Sequence, residues 1–545
     1  MVWLGVAGVV LPRLWATRHA EFPFISADEP AYLSMASLIA GDGGWNLGDA
    51  ATYGPGYSAL IAPWFALGLD PDHIYRAAIA TNIAVWVGSY LVLEVLARRL
   101  TTLRRPWSVV VALTATLPTS LLVLAGYAWS DSLAVLVFLL LVWACVELVA
   151  RPTLLRGSAV AAASTIGYAV HTRLAPAALV ALGLLGVLAW RRRMAWRDAG
   201  VATAATLLGL LGVQVVSSAV HDRLYESADA ASRVTDELSR ALRPWAVTAS
   251  VSGQMWYLVV TTAGLAVIGV IALVRSCRPT GASPDPGMRS RQALWVAGAL
   301  VAVTFLASAG FMTDRPRPDH MVYGRYNDAI VGLLIVIGSA RWIAQRDRRS
   351  QLLDGAVVLG AAVATAAVVW IARSDVLAGP YSGITIRSLA PLGGGGPGRL
   401  WWFTLVGASV IVALTVLRVL LGPRRGAFLL AALALFALGA ARGVAVTTGP
   451  REGDPRAATE LRDLVPEGEV VAVVADPSIP KQAFFRFPFY APDLRLHRTA
   501  DPVWTGGSQR WILAPLDFEP VQLAGYRVVW TDPVSSQTLW RAPSP

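Results

Sequence analysis

Asp28 and Glu29 stand side by side in a polar stretch, Glu21 to Tyr57, that separates a first apolar segment from the rest of the chain. Adjacent carboxylates are the kind of groups that can exchange protons with a hydroxyl or accept from donors on a substrate. The same oxygens could ligate Mg²⁺, Mn²⁺ or Ca²⁺, although no dense carboxylate cluster demands a metal. The plainer use of such a pair is solvating charge in a loop. Farther along, Asp131 begins an apolar run, where an ionisable group beside hydrocarbon needs a reason. Arg173 and Arg325 offer the paired donors that phosphate oxygens accept, with snorkelling at a membrane surface as the plain alternative. His320, in the polar stretch Asp314 to Tyr323 just before Arg325, could bind phosphate or an acceptor, or be an ordinary loop histidine.

The elements that must position these residues are set by composition. With 55% hydrophobic and 15% charged residues, and a mean hydropathy of +0.54, the chain is too apolar for an ordinary globular protein. It reads as a polytopic α-helical membrane protein. A span needs roughly 17–25 mostly apolar residues, because backbone polar groups in lipid must be satisfied within the segment. Segments of that kind fall near 1–17, 74–97, 107–125, 130–150, 157–170, 174–190, 199–220, 254–275, 292–312, 325–344, 354–372, 400–421 and 427–446, about thirteen in all. The stretch 157–190 has a competing reading as one kinked segment. Within the first loop (18–73), a helix-like piece after Asp28-Glu29-Pro30 (Tyr32, Met35, Ala36, Ile39) and a second from Tyr57 to Leu69 are expected to lie along the membrane surface.

Arginines set the expected orientation. Alternate connections hold Arg98, Arg99, Arg104 and Arg105, then Arg151 and Arg156, then Arg191, Arg192, Arg193 and Arg197, then Arg289 and Arg291, then Arg341, Arg346, Arg348 and Arg349, and finally Arg424 and Arg425. By the positive-inside rule these face the cytoplasm, which puts the N-terminus inside and the first loop and C-terminus outside a plasma membrane. The same pattern argues that 157–190 is two crossings. The net charge of +11 is therefore topological and implies no nucleic-acid partner. All six histidines then fall on or near the outer side, where one or two could face a shared cleft. Cys145 and Cys277 are expected to be free thiols. Met1 to Thr17 reads as a short first span whose start is open, not as a cleavable signal. Scarce lysine (Lys481) points to a GC-rich, bacterial genome.

From about residue 447 to 545 the character changes to a small extracytoplasmic α/β domain. Asp454-Pro455 suits a helix start, with Arg456 to Leu464 continuing it. Val470 to Val474 is a buried-type strand run, and Arg510 to Leu513 and Tyr526 to Trp530 read likewise. No nucleophile or phosphate loop is evident there, so its expected role is to cover or shape the membrane cleft.

The order of these features resembles the GT-C glycosyltransferases, polytopic enzymes that use polyprenyl-phosphate sugars. The resemblance rests on a short first span, Asp28-Glu29 early in a long outer loop, and Tyr53-Gly54-Pro55-Gly56-Tyr57 leading into an interfacial helix. It also rests on Trp129-Ser130-Asp131-Ser132, Thr172-Arg173-Leu174-Ala175-Pro176 and Gly324-Arg325-Tyr326. It covers the order of the membrane region, residues 1–446, while the C-terminal domain matches only in place and size. It implies transfer of a sugar from a polyprenyl-phosphate donor to a glycan, lipid or protein acceptor, with Asp28 as first choice for the base that deprotonates the acceptor, Glu29 as its orienting partner or its alternative, Arg173 and Arg325 clamping phosphate, and Tyr326, His320, Asp131 and Tyr57 also binding substrate. An arabinofuranosyl, mannosyl or aminoarabinose transferase is a reasonable neighbour, and no signature names the sugar.

Three other classes remain open. A polysaccharide polymerase or ligase would centre on basic residues in a large later outer loop, for which 221–253 offers Arg223, Arg233, Arg240 and Arg243. A lipid or solute transporter would carry mid-span charges and repeated halves, whereas Glu94 and Glu147 fall near span ends. A membrane scaffold would leave the acid-bearing first loop unexplained.

Overall fold

The computed structural model describes residues 1–24, 27–47, 52–225, 243–276, 288–315, 317–378, 385–393, 398–421, 425–449, 451, 456–474, 487–499, 510–516, 526–533 and 537–542. Arg233, Arg240, Cys277, Arg424 and the Asp454-Pro455 helix start lie outside the described residues. Among the described residues, nine helices are long and apolar enough to cross a membrane, or up to eleven when each of two bent pairs counts as one crossing. Length thus supports fewer crossings than the thirteen expected. The other two segments, Val2–Ala16 and Leu154–Val170, are apolar helices of 15 and 17 residues.

The first ten helices in chain order are α1 (Val2–Ala16), α2 (Asp28–Ala40), α3 (Gly56–Ala66), α4 (Pro71–Leu100), α5 (Arg105–Ala115), α6 (Thr119–Val123), α7 (Asp131–Ala150), α8 (Leu154–Val170), α9 (Ala175–Trp190) and α10 (Trp196–Leu224). The stretch 157–190 is accordingly two helices, joined by His171 and a 3-10 turn at Thr172–Leu174. Two segments expected to be single spans are broken instead. The chain bends by 78° between Arg105–Ala115 and Thr119–Gly126, around Pro118, which has no N–H to continue a helix. The segment expected at 254–275 begins earlier, at Pro244, and bends by 116° between Pro244–Thr261 and Leu265–Ser276. At that break Ala263 and Gly264 adopt φ of 50° and 79°. The Gly264 N–H closes back on the Val259 carbonyl at 2.9 Å, a glycine-dependent helix stop.

Local chemistry explains the long elements. α4 starts with Asp70 accepting from the His73 N–H at 3.0 Å, takes Pro71 in its first turn, and ends on Arg98 and Arg99, which suit the negative end of the helix. Near those ends, Glu94 pairs with Arg98 at 2.8 Å and Glu147 pairs with Arg99 at 2.7 Å, so neither acid is a bare mid-span charge. Helix Asp328–Ala344 is the hub of the bundle, buried at every residue from Asp328 to Ile343. On the periphery, α10 leaves Leu207, Leu208, Leu211 and Val215 exposed, apolar surface of the kind that a bilayer covers.

The first loop departs from expectation in one respect. α3 keeps an apolar side outward at Leu60 while burying Tyr57, Ile61 and Phe65. α2 does not lie on a surface: every residue from Glu29 to Ser37 is buried, so no face is left for water or headgroups. Ser34 is satisfied internally, donating to the Trp45 carbonyl at 2.7 Å and accepting from its N–H at 2.9 Å. Gly41, at φ 100°, ends the helix.

Among the described residues, the C-terminal region holds the expected helix Arg456–Leu464 and five strands: β1 (Val470–Val474), β2 (Arg495–Thr499), β3 (Trp511–Pro515), β4 (Arg527–Asp532) and β5 (Gln537–Arg541). Their order is β2-β1-β3-β5-β4, with β1 parallel to β2 and β3, and β5 antiparallel to β3 and β4. β2 and β5 were not expected, and β4 is a largely exposed edge strand where a buried run was expected. The domain docks onto the first loop through Phe489, whose ring lies 6.1 Å from Trp45 and 6.4 Å from Phe65.

Candidate active site

The chemistry-bearing side chains gather where α2 begins. Ala27, just before it, adopts φ 72°, a conformation that costs a residue with a Cβ roughly 1–3 kcal/mol. Asp28 and Glu29 then occupy the first turn, where the helix dipole favours carboxylates. Consecutive helical residues point about 100° apart, so the two acids cannot share one target. Asp28 accepts from Arg325 Nη1 at 2.7 Å through one oxygen and from the Tyr53 hydroxyl through the other. Burial, together with the Asp28 charge, holds the Tyr53 phenol well above its ordinary range, so it stays a donor.

Arg325 ties two distant acids together. It opens a 3-10 turn, Arg325–Asn327, directly before the hub helix. Its Nη1 serves Asp28 while its Nε donates to Asp131, the first residue of α7. The guanidinium also lies 3.7 Å from the Trp129 ring centroid, a cation–π seat. Arg173, in the turn between α8 and α9, contacts the other Asp131 oxygen at 3.4 Å and stacks 3.2 Å above the Tyr326 ring. It donates from Nε to His171 Nε2 at 2.9 Å. His171 is kept neutral: burial, then the charges of Arg173 and Arg325, push its pKa well below the usual imidazole value. Asp28 and Asp131 thus face Arg325 and Arg173 in a pocket where Asp28 is 19% exposed and Arg325 10%. The cavity among Asp131, His171, Arg173, Arg325, Tyr326 and Asp328 is about 20 Å³, room for a single water.

Glycines bring these loops together. A Cβ built on Gly54 would sit 2.3 Å from the Ala169 carbonyl oxygen, and one on Gly56 would sit 2.8 Å from Ala169 C and Val170 N. The Tyr53-Gly54-Pro55-Gly56-Tyr57 motif is thus pressed against the backbone at the end of α8, next to the turn that carries His171 and Arg173.

Of the eight site residues expected, Asp28, Asp131, Arg173, Arg325 and Tyr326 meet in one cluster. Glu29 is adjacent in sequence but faces elsewhere: it is fully buried and accepts from the Tyr75 hydroxyl at 2.6 Å and from the N–H groups of Phe24 at 2.7 Å and Ala128 at 2.8 Å. Tyr57 is one ring removed, set edge-on to Tyr32 at 5.4 Å. His320 lies two rings away, 5.7 Å from Tyr323, which is 4.4 Å from Tyr326; beside it Arg317 pairs with Asp319 at 2.6 Å. Tyr53, Trp129 and His171 were not singled out, although Tyr53 and Trp129 stand in the motifs that carried the resemblance. Among the described residues no three His, Cys, Asp or Glu side chains converge as a metal site. Asp28 and Asp131 are bridged by Arg325, which a cation between them would have to displace.

No protein-family model matches the sequence, and no curated protein matches it. Solved structures do. ArnT from Cupriavidus metallidurans in the apo state is similar at a TM-score of 0.56 and 15% identity, over 100% of this chain and 99% of that one. ArnT bound to undecaprenyl phosphate is similar at 0.54 and 15% identity, with the same shares covered. The arabinosyltransferase EmbB from Mycobacterium smegmatis matches at 0.43 and 15% identity, over 81% of this chain and 41% of its own. From end to end, membrane helices and C-terminal domain together, this chain has the fold of ArnT, the GT-C fold.

Proposed function

We propose that the protein is a membrane glycosyltransferase that moves a sugar from a polyprenyl-phosphate donor to an acceptor hydroxyl, at the end of the bundle that carries the first loop. The observation that carries this reading is Arg325 bridging Asp28 and Asp131 beside Arg173, a charge-balanced cluster able to exchange partners. ArnT was solved with undecaprenyl phosphate bound, which supports a lipid of that class as the donor's carrier.

The charges account for the reaction. The donor's phosphodiester enters as a monoanion and competes with Asp28 for Arg325, while Arg173 supplies a second guanidinium. Freed of its arginine, Asp28 becomes a better base. It takes the acceptor's proton as the acceptor oxygen bonds to the anomeric carbon from the face opposite the phosphate, and the bond from that carbon to the phosphate oxygen breaks, which inverts the centre. The leaving polyprenyl phosphate gains one negative charge as Asp28 loses one, so the total charge of the pocket does not change during transfer. Asp131 holds both arginines throughout. The site faces outside the plasma membrane of a bacterium, with the N-terminus in the cytoplasm and the C-terminal domain outside. The transferred sugar is a pentose or a hexose. Incubating the purified protein with a panel of radiolabelled polyprenyl-phosphate sugars and an envelope acceptor fraction tests the proposal. Transfer from at least one donor is expected; no transfer from any, with labelled glycan chains growing instead from a lipid-linked oligosaccharide, would favour the polymerase reading.

A further inference from the structure

Arg451 follows the last membrane helix, on the path into the C-terminal domain, far in sequence from the cluster. Its guanidinium donates to three groups: the Phe22 carbonyl, the Gly126 carbonyl, and the Tyr75 hydroxyl at 2.6 Å. Aromatic rings line it, with Tyr127 at 5.0 Å, Tyr75 at 5.5 Å and Phe24 at 5.8 Å. Tyr75 in turn donates to Glu29 at 2.6 Å. The other bonds to Glu29 repeat the pattern. Arg451 holds the carbonyls of Phe22 and Gly126, and Glu29 holds the N–H groups of Phe24 and Ala128, each two positions farther along the same segments. One segment leads into Asp28, and the other leads through Trp129 and Ser130 into Asp131.

We infer that Arg451 is a positioning residue for the transfer reaction: through Tyr75 and Glu29 it pins together the two segments that precede Asp28 and Asp131, and so sets the spacing that Arg325 bridges. The inference rests on the reading of Asp28 as the base, but its geometric part does not. Glu29 on this account holds the segments in place rather than taking a proton. A positive charge delivered through a phenol to a fully buried carboxylate is a costly arrangement to leave half made, since removing one member strands the others' hydrogen bonds. It also ties the C-terminal domain's attachment point to the geometry of the membrane site.

The test uses the full-length protein in nanodiscs and two independent readouts. In the first, Arg451→Met is expected to lower kcat roughly 10- to 100-fold with the donor KM within about threefold, since no substrate contact is lost. Arg451→Lys, which keeps the charge but reaches fewer acceptors, should recover part of kcat. Arg451→Met combined with Glu29→Gln should be no worse than the poorer single variant, because both cut one connection. Multiplied losses, or a KM effect without a kcat effect, would overturn the inference. The second readout needs no sugar transfer: the iodoacetamide alkylation rate of Asp28→Cys, measured with Arg451 intact and with Arg451→Met. A change of about fivefold or more is expected if residue 28 shifts, and an unchanged rate overturns the inference whatever the protein transfers. Should Arg451→Met fail to fold, Tyr75→Phe removes only the connecting hydroxyl and carries the same two readouts.

Discussion

Asp28→Asn separates the roles assigned to the cluster, because its effects on stability, binding and rate differ in size and sign. Asparagine keeps the shape of the side chain and can still accept from Tyr53, but it brings no negative charge to Arg325, now 2.7 Å away. Arg325 is not stranded, since Nε keeps Asp131. The folding cost is therefore the difference between a charged and a neutral hydrogen bond, about 1 kcal/mol, and not the 3–5 kcal/mol of an orphaned buried charge. By the same amount Arg325 is released toward phosphate, so polyprenyl phosphate should bind up to about fivefold more tightly. Transfer should fall by about 10²–10⁴, equivalent to roughly 2.7–5.4 kcal/mol of barrier, because the amide cannot take the proton. Equilibrium binding of tritiated undecaprenyl phosphate and initial rates of sugar transfer measure the two effects separately. A rate within about threefold of the parent would refute the base assignment, and weaker phosphate binding would refute the exchange of Arg325 between carboxylate and phosphate.

Arg325→Lys should weaken polyprenyl phosphate binding by roughly tenfold or more, since one ammonium cannot reproduce the fork that serves both Asp28 and Asp131; an unchanged dissociation constant argues against it. Gly54→Ala and Gly56→Ala should each cost about 1–3 kcal/mol, because the new methyl meets the backbone of Ala169 or Val170 and neither can yield. A thermal melt matching the parent would contradict that contact. Thiols introduced as Asp42→Cys and Arg191→Cys, both at exposed positions, should react with an impermeant maleimide from outside the cell and from inside only, respectively. The reverse pattern would invert the orientation.

Much of this arrangement was legible because its signals are local. Asp131, Arg173 and Arg325 each sit in a short polar motif at the mouth of an apolar run, and such placement singles out a charge without any knowledge of its partners. Glu29 was harder to read: its type matched Asp28, and only the helical rotation between neighbours, with Tyr75 and Ala128 waiting on the other side, shows that it faces away. His320 is near Arg325 in sequence yet belongs to a separate 3-10 turn, Pro318–Val322. The burial of α2 was obscured by Ser34 and Ser37, which look like surface residues until Trp45 is seen to satisfy Ser34. Strands β2 and β5 carry Arg495, His497 and Arg541, charges that hid short strands. Arg451 could not have been found at all, because its contacts with Phe22 and Gly126 span 429 and 325 residues and leave no local pattern.

The enclosure of α2 limits how the site can open. A helix with one bare flank can roll or slide to admit a ligand, but one covered from Glu29 to Ser37 has no low-cost direction of travel. Entry must then come from its tip, where the tyrosine and arginine side chains around Asp28 can change rotamer while the backbone keeps its place. In this protein the acid is the anvil, and the substrates are brought to it.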